Sequence, residues 1–177
     1  MTLRVWRRLF VVGLAVVVLQ VGALDQLDIA DAHPDTFLLL AICAGVVAGP
    51  QYGAVVAFVV GLVADLFVLT PFGLSALCYV LIAFVVGSVA AAPGGRAPYT
   101  FRVVAAFVAS VGGVLLYAGL SIVVGEPRLP AGQLFDVVIV VAVANAVLAV
   151  PGVAAMRWVF SGSAQAGREL AGMGGTR

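Results

Sequence analysis

Asp65 has the greatest chemical potential in this chain, because it lies inside the apolar run 51–69, where an ionisable group is costly. Gly53, Ala57 and Gly61 precede it at four-residue steps, so the four positions share one helical stripe. Small residues at that spacing let two helices approach closely in lipid. Two readings of Asp65 follow. It is a proton or substrate site, or it is an acid near the outer end of its helix, hydrogen-bonded to a neighbouring helix or to the 70–73 turn. The apolar run ends at residue 69, so Asp65 is away from the midplane, and the structural or partner-packing reading is preferred. The stripe with its flanking turns (Pro50, Gly53, Ala57, Gly61, Asp65, Pro71 and Gly73) is thus the candidate helix-packing or partner interface.

Few other side chains offer chemistry. Asn145 lies deep in the last apolar run and reads as an amide bonding across helices, for a gain of about 0.6–2 kcal/mol. His33, the single His, sits in the segment DQLDIADAHPD among four acids, with no spacing that fixes a metal geometry; a solvated loop is expected. Asp35, after Pro34, is placed to start a helix, where a carboxylate complements the positive end of the dipole. Cys43 and Cys78 sit in apolar runs without metal-ligand spacing and read as small buried or lipid-facing residues. There is no phosphate-binding glycine loop, no Lys, no nucleophile elbow and no pair of His ligands. A membrane enzyme needs several polar groups facing one another, and Asp65 alone does not make such a set. The expectation is a non-enzyme with no catalytic, cofactor or metal-binding residues.

The elements that must position these residues are helices in lipid. Of 177 residues, 64% are hydrophobic and 10% charged, against about 45–50% and about 25% in soluble domains. A globule of this size has too little interior to hide that surface. Period-2 alternation is absent, which excludes a barrel, and helices are the remaining way to satisfy the backbone in hydrocarbon. Six apolar segments are expected, at 8–24, 35–49, 51–69, 73–92, 103–124 and 135–160. Gly49-Pro50 makes 49–52 either a tight turn or a kink. Segment 35–49 is short and either spans fully or is re-entrant. Gly112, Gly113 and Gly119 read as close-packing positions, and Pro151 as a kink. Thr70-Pro71-Phe72-Gly73, residues 93–98 and residues 125–130 are breaks and loops. Residues 1–160 form one transmembrane helical domain, and the Gly/Ser/Ala-rich segment 161–177 is expected to be a disordered cytoplasmic tail. The basic start RVWRR and Val21-Gly22-Ala23 resemble a secretory signal, but the apolar run is long and more spans follow, so a retained first helix is expected.

Arginine placement sets the orientation. With six spans and an internal N-terminus, Arg4, Arg7, Arg8, Arg96, Arg102, Arg157, Arg168 and Arg177 fall on the cytoplasmic side and only Arg128 lies outside. Asp25, Asp28, Asp31, Asp35, Glu126 and Asp136 fall outside or at that boundary. The net charge of +1 gives no reason to expect a nucleic-acid partner.

The stretch from Pro34 to Gly87 resembles the rod shape-determining MreD family. The ordered elements are Pro34-Asp35, Gly49-Pro50 with Gly53, Gly61-Leu62 with Asp65, Pro71-Phe72-Gly73 and then Gly87. Each is weak alone; the order and spacing over residues 34–92 carry the likeness. The resemblance implies a non-catalytic subunit of the bacterial inner membrane within the cell-elongation complex that builds peptidoglycan along the lateral wall. It implies MreC as a partner, in a larger assembly with MreB, RodA and its transpeptidase. Family members are similar in fold to substrate-binding subunits of energy-coupling-factor vitamin transporters, so a small-molecule uptake subunit is the alternative. Such a subunit needs a pocket with several polar or aromatic groups, and the spans offer only Asp65, Asn145, Tyr79, Tyr117 and a few Ser residues.

Overall fold

The computed structural model describes residues 3–20, 22, 34–67, 72–91, 99–125 and 130–173. Among them are five helices and no strand: α1 (Leu3–Leu19), α2 (Thr36–Asp65), α3 (Leu74–Ala90), α4 (Tyr99–Val124) and α5 (Ala131–Met173). Three helical stretches, Thr36–Asp65, Thr100–Val124 and Gly132–Ser161, are long and apolar enough to cross a membrane. Large apolar side chains such as Phe10, Phe84, Val108 and Val147 lie half or more exposed along the helices, a surface that water disfavours and lipid accepts.

The first of those stretches does not cross in one straight pass. Gly49 has φ 79 and ψ 179, outside the helical region, and Pro50 follows it. In a continuous helix, residues eight apart are separated by about 12 Å. Yet a Cβ built on Gly53 would lie 2.6 Å from the Cα of Gly45. The rings of Phe37 and Phe67, at the far ends of the two arms, stack with centroids 6.2 Å apart. The chain therefore reverses at Gly49-Pro50, and arms 36–48 and 50–65 run antiparallel. Of the two geometries open at 49–52, the tight turn is the one formed. Gly is required there because a positive φ is strained for a residue with a Cβ, and Pro fits the first turn of the second arm, where no helical partner for its N–H exists. At 1.5 Å per residue each arm is about 20–24 Å long, shorter than a hydrocarbon core of about 30 Å.

α3 returns along this hairpin. A Cβ on Gly45 would meet the Ala83 carbonyl oxygen at 2.5 Å, one on Gly61 the Ala76 Cα at 2.3 Å, and one on Gly87 the Pro50 nitrogen at 2.6 Å. These three glycines place α3 against both arms along its length, backbone to backbone. α4 and α5 pack as an antiparallel pair beside it. Gly113 of α4 abuts the Leu38 side chain, and Gly152 of α5 abuts Cys43 Sγ. α1 closes the bundle, burying Val5 and Leu9. At one end Arg8 donates to the Trp158 carbonyl at 2.8 Å and to Ser161 Oγ at 2.9 Å, with its guanidinium 4.8 Å above the Trp158 ring. At the other, Gln20 Nε2 donates to the Pro34 carbonyl at 3.0 Å, and Gln20 Oε1 accepts from the Thr36 hydroxyl.

Several expectations shift. α1 starts at Leu3 rather than residue 8, since Arg favours helix and its head can reach water while its stem packs. α4 starts at Tyr99 and α5 at Ala131, each about four residues earlier than the apolar runs suggested. The helix of α5 continues past residue 161, where a disordered tail was expected, to Met173; Ala164, Gln165, Arg168, Glu169 and Leu170 are good helix formers despite the neighbouring glycines. α5 also carries Pro151 within its helical span. Gly119 was expected at a close contact, but a Cβ there would meet nothing within 4 Å. Being free of a side chain does not bring a partner; the partner helix must reach that face.

Candidate functional site

The ordered motif elements that fall among the described residues converge on the hairpin and α3. Asp65 ends the second arm and is 4% exposed. Its Oδ2 accepts from the Gly73 N–H at 2.8 Å and, at 3.4 Å, from that of Ala76; its Oδ1 accepts from the Ser75 N–H at 3.1 Å. Those amides belong to the first turn of α3, whose own N-cap residue, Gly73, has φ 100 and no side chain to offer. The first N–H groups of any helix lack internal partners. Asp65 thus caps α3 from another helix, and its charge sits at the positive end of that dipole.

Asp35 does the corresponding work for the hairpin. Its Oδ1 accepts from Leu38 N–H at 2.9 Å, an N-cap bond for α2, and its Oδ2 accepts from the Tyr79 hydroxyl at 2.7 Å. Tyr79 is on α3, so this bond ties the start of α2 to α3. Both carboxylates, the Phe37–Phe67 stack and the Gln20 bonds lie at one end of the bundle. The Gly49-Pro50 turn, facing Gly87, lies at the other.

The small-residue stripe has two neighbours. Gly53 faces Gly45 of the first arm, Gly61 faces Ala76 of α3, and Ala57 between them is fully buried. Pro50 forms the turn against Gly87. Pro71 lies outside the described residues, as do His33, Arg96 and Arg128. Asn145 is apart from this unit: its Nδ2 donates to Ser110 Oγ at 2.9 Å, joining α5 to α4, and its Oδ1 finds no hydrogen-bond partner among the described residues. Cys43 and Cys78 are both buried and free, and Cys78 Sγ donates to the Gly113 carbonyl at 3.3 Å. No group of three His, Cys, Asp or Glu that could hold a metal occurs among the described residues.

Sequence reasoning missed the roles of five residues: Gly45, Tyr79, Ser110, Arg8 and Trp158. Gly45 had a legible signal: it and Gly53 lie four residues either side of Gly49, so a reversal at Gly49-Pro50 sets them facing each other across the two arms. Tyr79 and Ser110 carried none, because their partners are 44 and 35 residues away. The Arg8–Trp158 clamp spans 150 residues and was equally hidden.

Chemically, the arrangement leaves Asp65 as an acceptor of backbone amides and Asp35 as an acceptor of backbone amides and one phenol. Neither carboxylate hydrogen-bonds the other, and each bridges two elements. The unit they close is a packed helical hairpin with a return helix. No model of a known protein family, no curated protein and no solved structure matches this chain.

Proposed function

We propose that this chain is a multi-pass, non-catalytic subunit of a bacterial inner-membrane assembly of the MreD type, scaffolding peptidoglycan synthesis along the lateral wall. In this reading the two arms of α2 count as separate passes, giving six with α1, α3, α4 and α5, and both termini are cytoplasmic. Partners are MreC and, through it, MreB, RodA and its transpeptidase. The observation that carries the reading is the fate of the ordered motif: Asp35, Gly49-Pro50, Gly53, Gly61, Asp65, Gly73 and Gly87 each hold one α2–α3 unit together by a cap, a turn or a backbone contact. A signature spent on building a rigid unit suits a protein that works by being bound.

The topology is supported by how the ends alternate. Arg8, Arg102 and Arg157 gather at one end of the bundle, as the Arg8–Trp158 bond and the shared Arg102–Arg157 cleft require. Asp35 and Asp65 gather at the opposite end. Short cytoplasmic loops hold the basic residues, so the arginine end is assigned inward. The resemblance also extends to energy-coupling-factor binding subunits, and the same α2–α3 core could serve one. Against that use, Asp35, Asp65, Tyr79 and Asn145 bond to other parts of the chain, and the grooves beside α1 are lined almost wholly by apolar side chains.

The test is mild-detergent co-purification with the MreC-type protein of the same organism, alongside depletion of this chain. Retention of MreC and loss of rod shape are expected. Normal cell width after depletion, or co-purification with a transporter ATPase instead, would sink the proposal.

A further inference from the structure

The helices end level at one end of the bundle and not at the other. The bond from Cys78 Sγ to the Gly113 carbonyl, and the contact of Gly113 with Leu38, set these three residues at one height. Toward the carboxylate end, α3 runs four residues further, to its start at Leu74, and the first arm two further, to Thr36, about 6 Å and 3 Å of helix. α4 runs eleven further, to Val124, about 16 Å. The Asn145–Ser110 bond gives α5 the same excess, since fourteen residues separate Asn145 from Ala131. In the opposite direction α3 has twelve residues from Cys78 to Ala90 and α4 fourteen from Gly113 to Tyr99, ends that differ by about 3 Å. The α4–α5 pair therefore stands about 10 Å above the α2–α3 unit, at the carboxylate end alone.

The outward apolar surfaces follow the same step. Exposed large side chains run from Tyr52 to Phe67 on the second arm and from Leu77 to Val89 on α3, but from Val104 to Val124 on α4 and from Phe135 to Trp158 on α5. Those bands are about 22 and 18 Å tall on one flank and about 30 and 34 Å on the other, against a hydrocarbon core of about 30 Å. The exposed Asp136, beside Phe135, stands at the carboxylate-end edge of the tall band. A flank too short for the hydrocarbon is accommodated by snorkelling side chains, by oligomerising or by a thinner bilayer. Tilt does not help, because it shortens the projection further. No Arg or Lys occurs between Arg8 and Arg96, so this flank has no cationic side chain to snorkel. Helix pairing in lipid favours small residues at the contact, and here they face inward: Gly53, Ala57, Gly61, Ala76, Ala83 and Gly87 are buried. Phe58 and Phe84 stand half exposed on the outer face, and the exposed Ser88 bonds its hydroxyl to the Phe84 carbonyl of its own helix. We propose that the flank formed by the second arm and α3 is a docking surface for a thinned bilayer, drawing the carboxylate-end leaflet down by about 10 Å and favouring lipids with short acyl chains. In the orientation proposed above this is the outer leaflet. The inference rests on the membrane placement of the chain and not on any role in wall synthesis.

The experiment reconstitutes the full chain in dioleoyl-phosphatidylcholine vesicles with a single nitroxide at Leu66→Cys, Val123→Cys or Val147→Cys. All three side chains are exposed, and the native Cys43 and Cys78 are buried. Collision with oxygen against a water-soluble nickel chelate reads depth. Labels at 66 and 123 are expected at the same shallow depth. A label at 66 lying about 8 Å deeper than one at 123, as a flat leaflet requires, would overturn the proposal, and so would a label at 123 standing in water. A second measurement reads the lipid next to each flank. In an equal mixture of brominated dimyristoleoyl- and unbrominated dierucoyl-phosphatidylcholine, bimane at Phe84→Cys should be quenched about twofold more strongly than bimane at Val147→Cys, because mismatch sorts lipids by length. Equal quenching would overturn the proposal. The label at Val147, midway along the tall flank, reports the membrane placement separately: access of the nickel chelate there would overturn that placement and this inference together, whereas the other failures leave the placement standing.

Discussion

Replacing Asp65 measures what the carboxylate does. In the Leu variant all three α3 amides lose their acceptor, and those of Ser75 and Ala76 belong to residues only 3% and 1% exposed. Water cannot readily substitute. Losing an N-cap costs about 0.5–2 kcal/mol, and bonds to a charged acceptor are worth about 1.5–3 kcal/mol each. The 3.4 Å contact to Ala76 is too long to weigh much. Two good bonds to a buried helix start put Asp65→Leu at about 3–4 kcal/mol. Asn is the informative comparison. Its single carbonyl oxygen can take the Oδ2 place and keep Gly73, but its amide then points a donor at the Ser75 N–H. Asp65→Asn should therefore cost about 1–2 kcal/mol, retaining much of the function and not all of the stability. For a chain of this size each kcal/mol moves a melting midpoint by about 2–4 °C, so drops of roughly 10 °C for Leu and 4 °C for Asn are expected. Fluorescence-detected size exclusion after heating in detergent reads them, with complementation of a deletion strain at blotted, equal abundance. A proton- or cation-carrying role predicts otherwise: Asn as inactive as Leu while melting near wild type. That result, or a Leu variant that melts normally, would refute the capping argument.

Three further expectations follow, the first two from the same unit. Gly61→Leu places side-chain atoms where a Cβ alone would be 2.3 Å from the Ala76 Cα; it should still insert into membranes but lose the monodisperse elution peak, whereas Gly119→Leu, in open space, should keep it. Tyr79→Phe removes the 2.7 Å bond to Asp35 while the Leu38 cap remains, for about 1–3 kcal/mol and a midpoint lowered by several degrees in the same heating assay. For topology, single cysteines replacing Arg128 and Arg177 can be read against a silent background because Cys43 and Cys78 are buried; impermeant maleimide on intact cells should label position 128 and spare 177, and the reverse would sink the six-pass arrangement.

What could be read in advance divides along physical lines. Helix content, the break at Gly49-Pro50 and the stripe from Gly53 to Asp65 are local properties of composition and spacing, and they were legible. So was the bonding of Asp65 to the turn after its helix, because that turn is eight residues away. Helix ends were displaced wherever Arg or small residues extended the helix past the apolar run, at Leu3, Tyr99 and beyond residue 161. Which faces meet was illegible. Gly113 and Gly119 look alike in sequence, yet one meets Leu38 and the other nothing. Nothing near Arg102 in the chain announces Arg157.

The two carboxylates show why a buried acid in or beside an apolar run need not be a working acid. A hairpin with two short arms and a return helix has three helix starts, and each start leaves N–H groups without partners inside its own helix. At the arm beginning with Pro50 one of those donors is absent, because Pro has no N–H. At the other two starts the chain supplies a carboxylate: Asp35 from its own N-cap position, and Asp65 from the neighbouring arm because Gly73 must be Gly to take its positive φ. Glycine can make the turn or a side chain can make the cap, and one residue cannot do both. Moving the cap onto Asp65 resolves the conflict and bonds the second arm to α3 in the same step. A charged residue in an apolar run, followed a few positions later by a turn glycine and an apolar helix, is thus explained by backbone satisfaction before any chemistry is invoked.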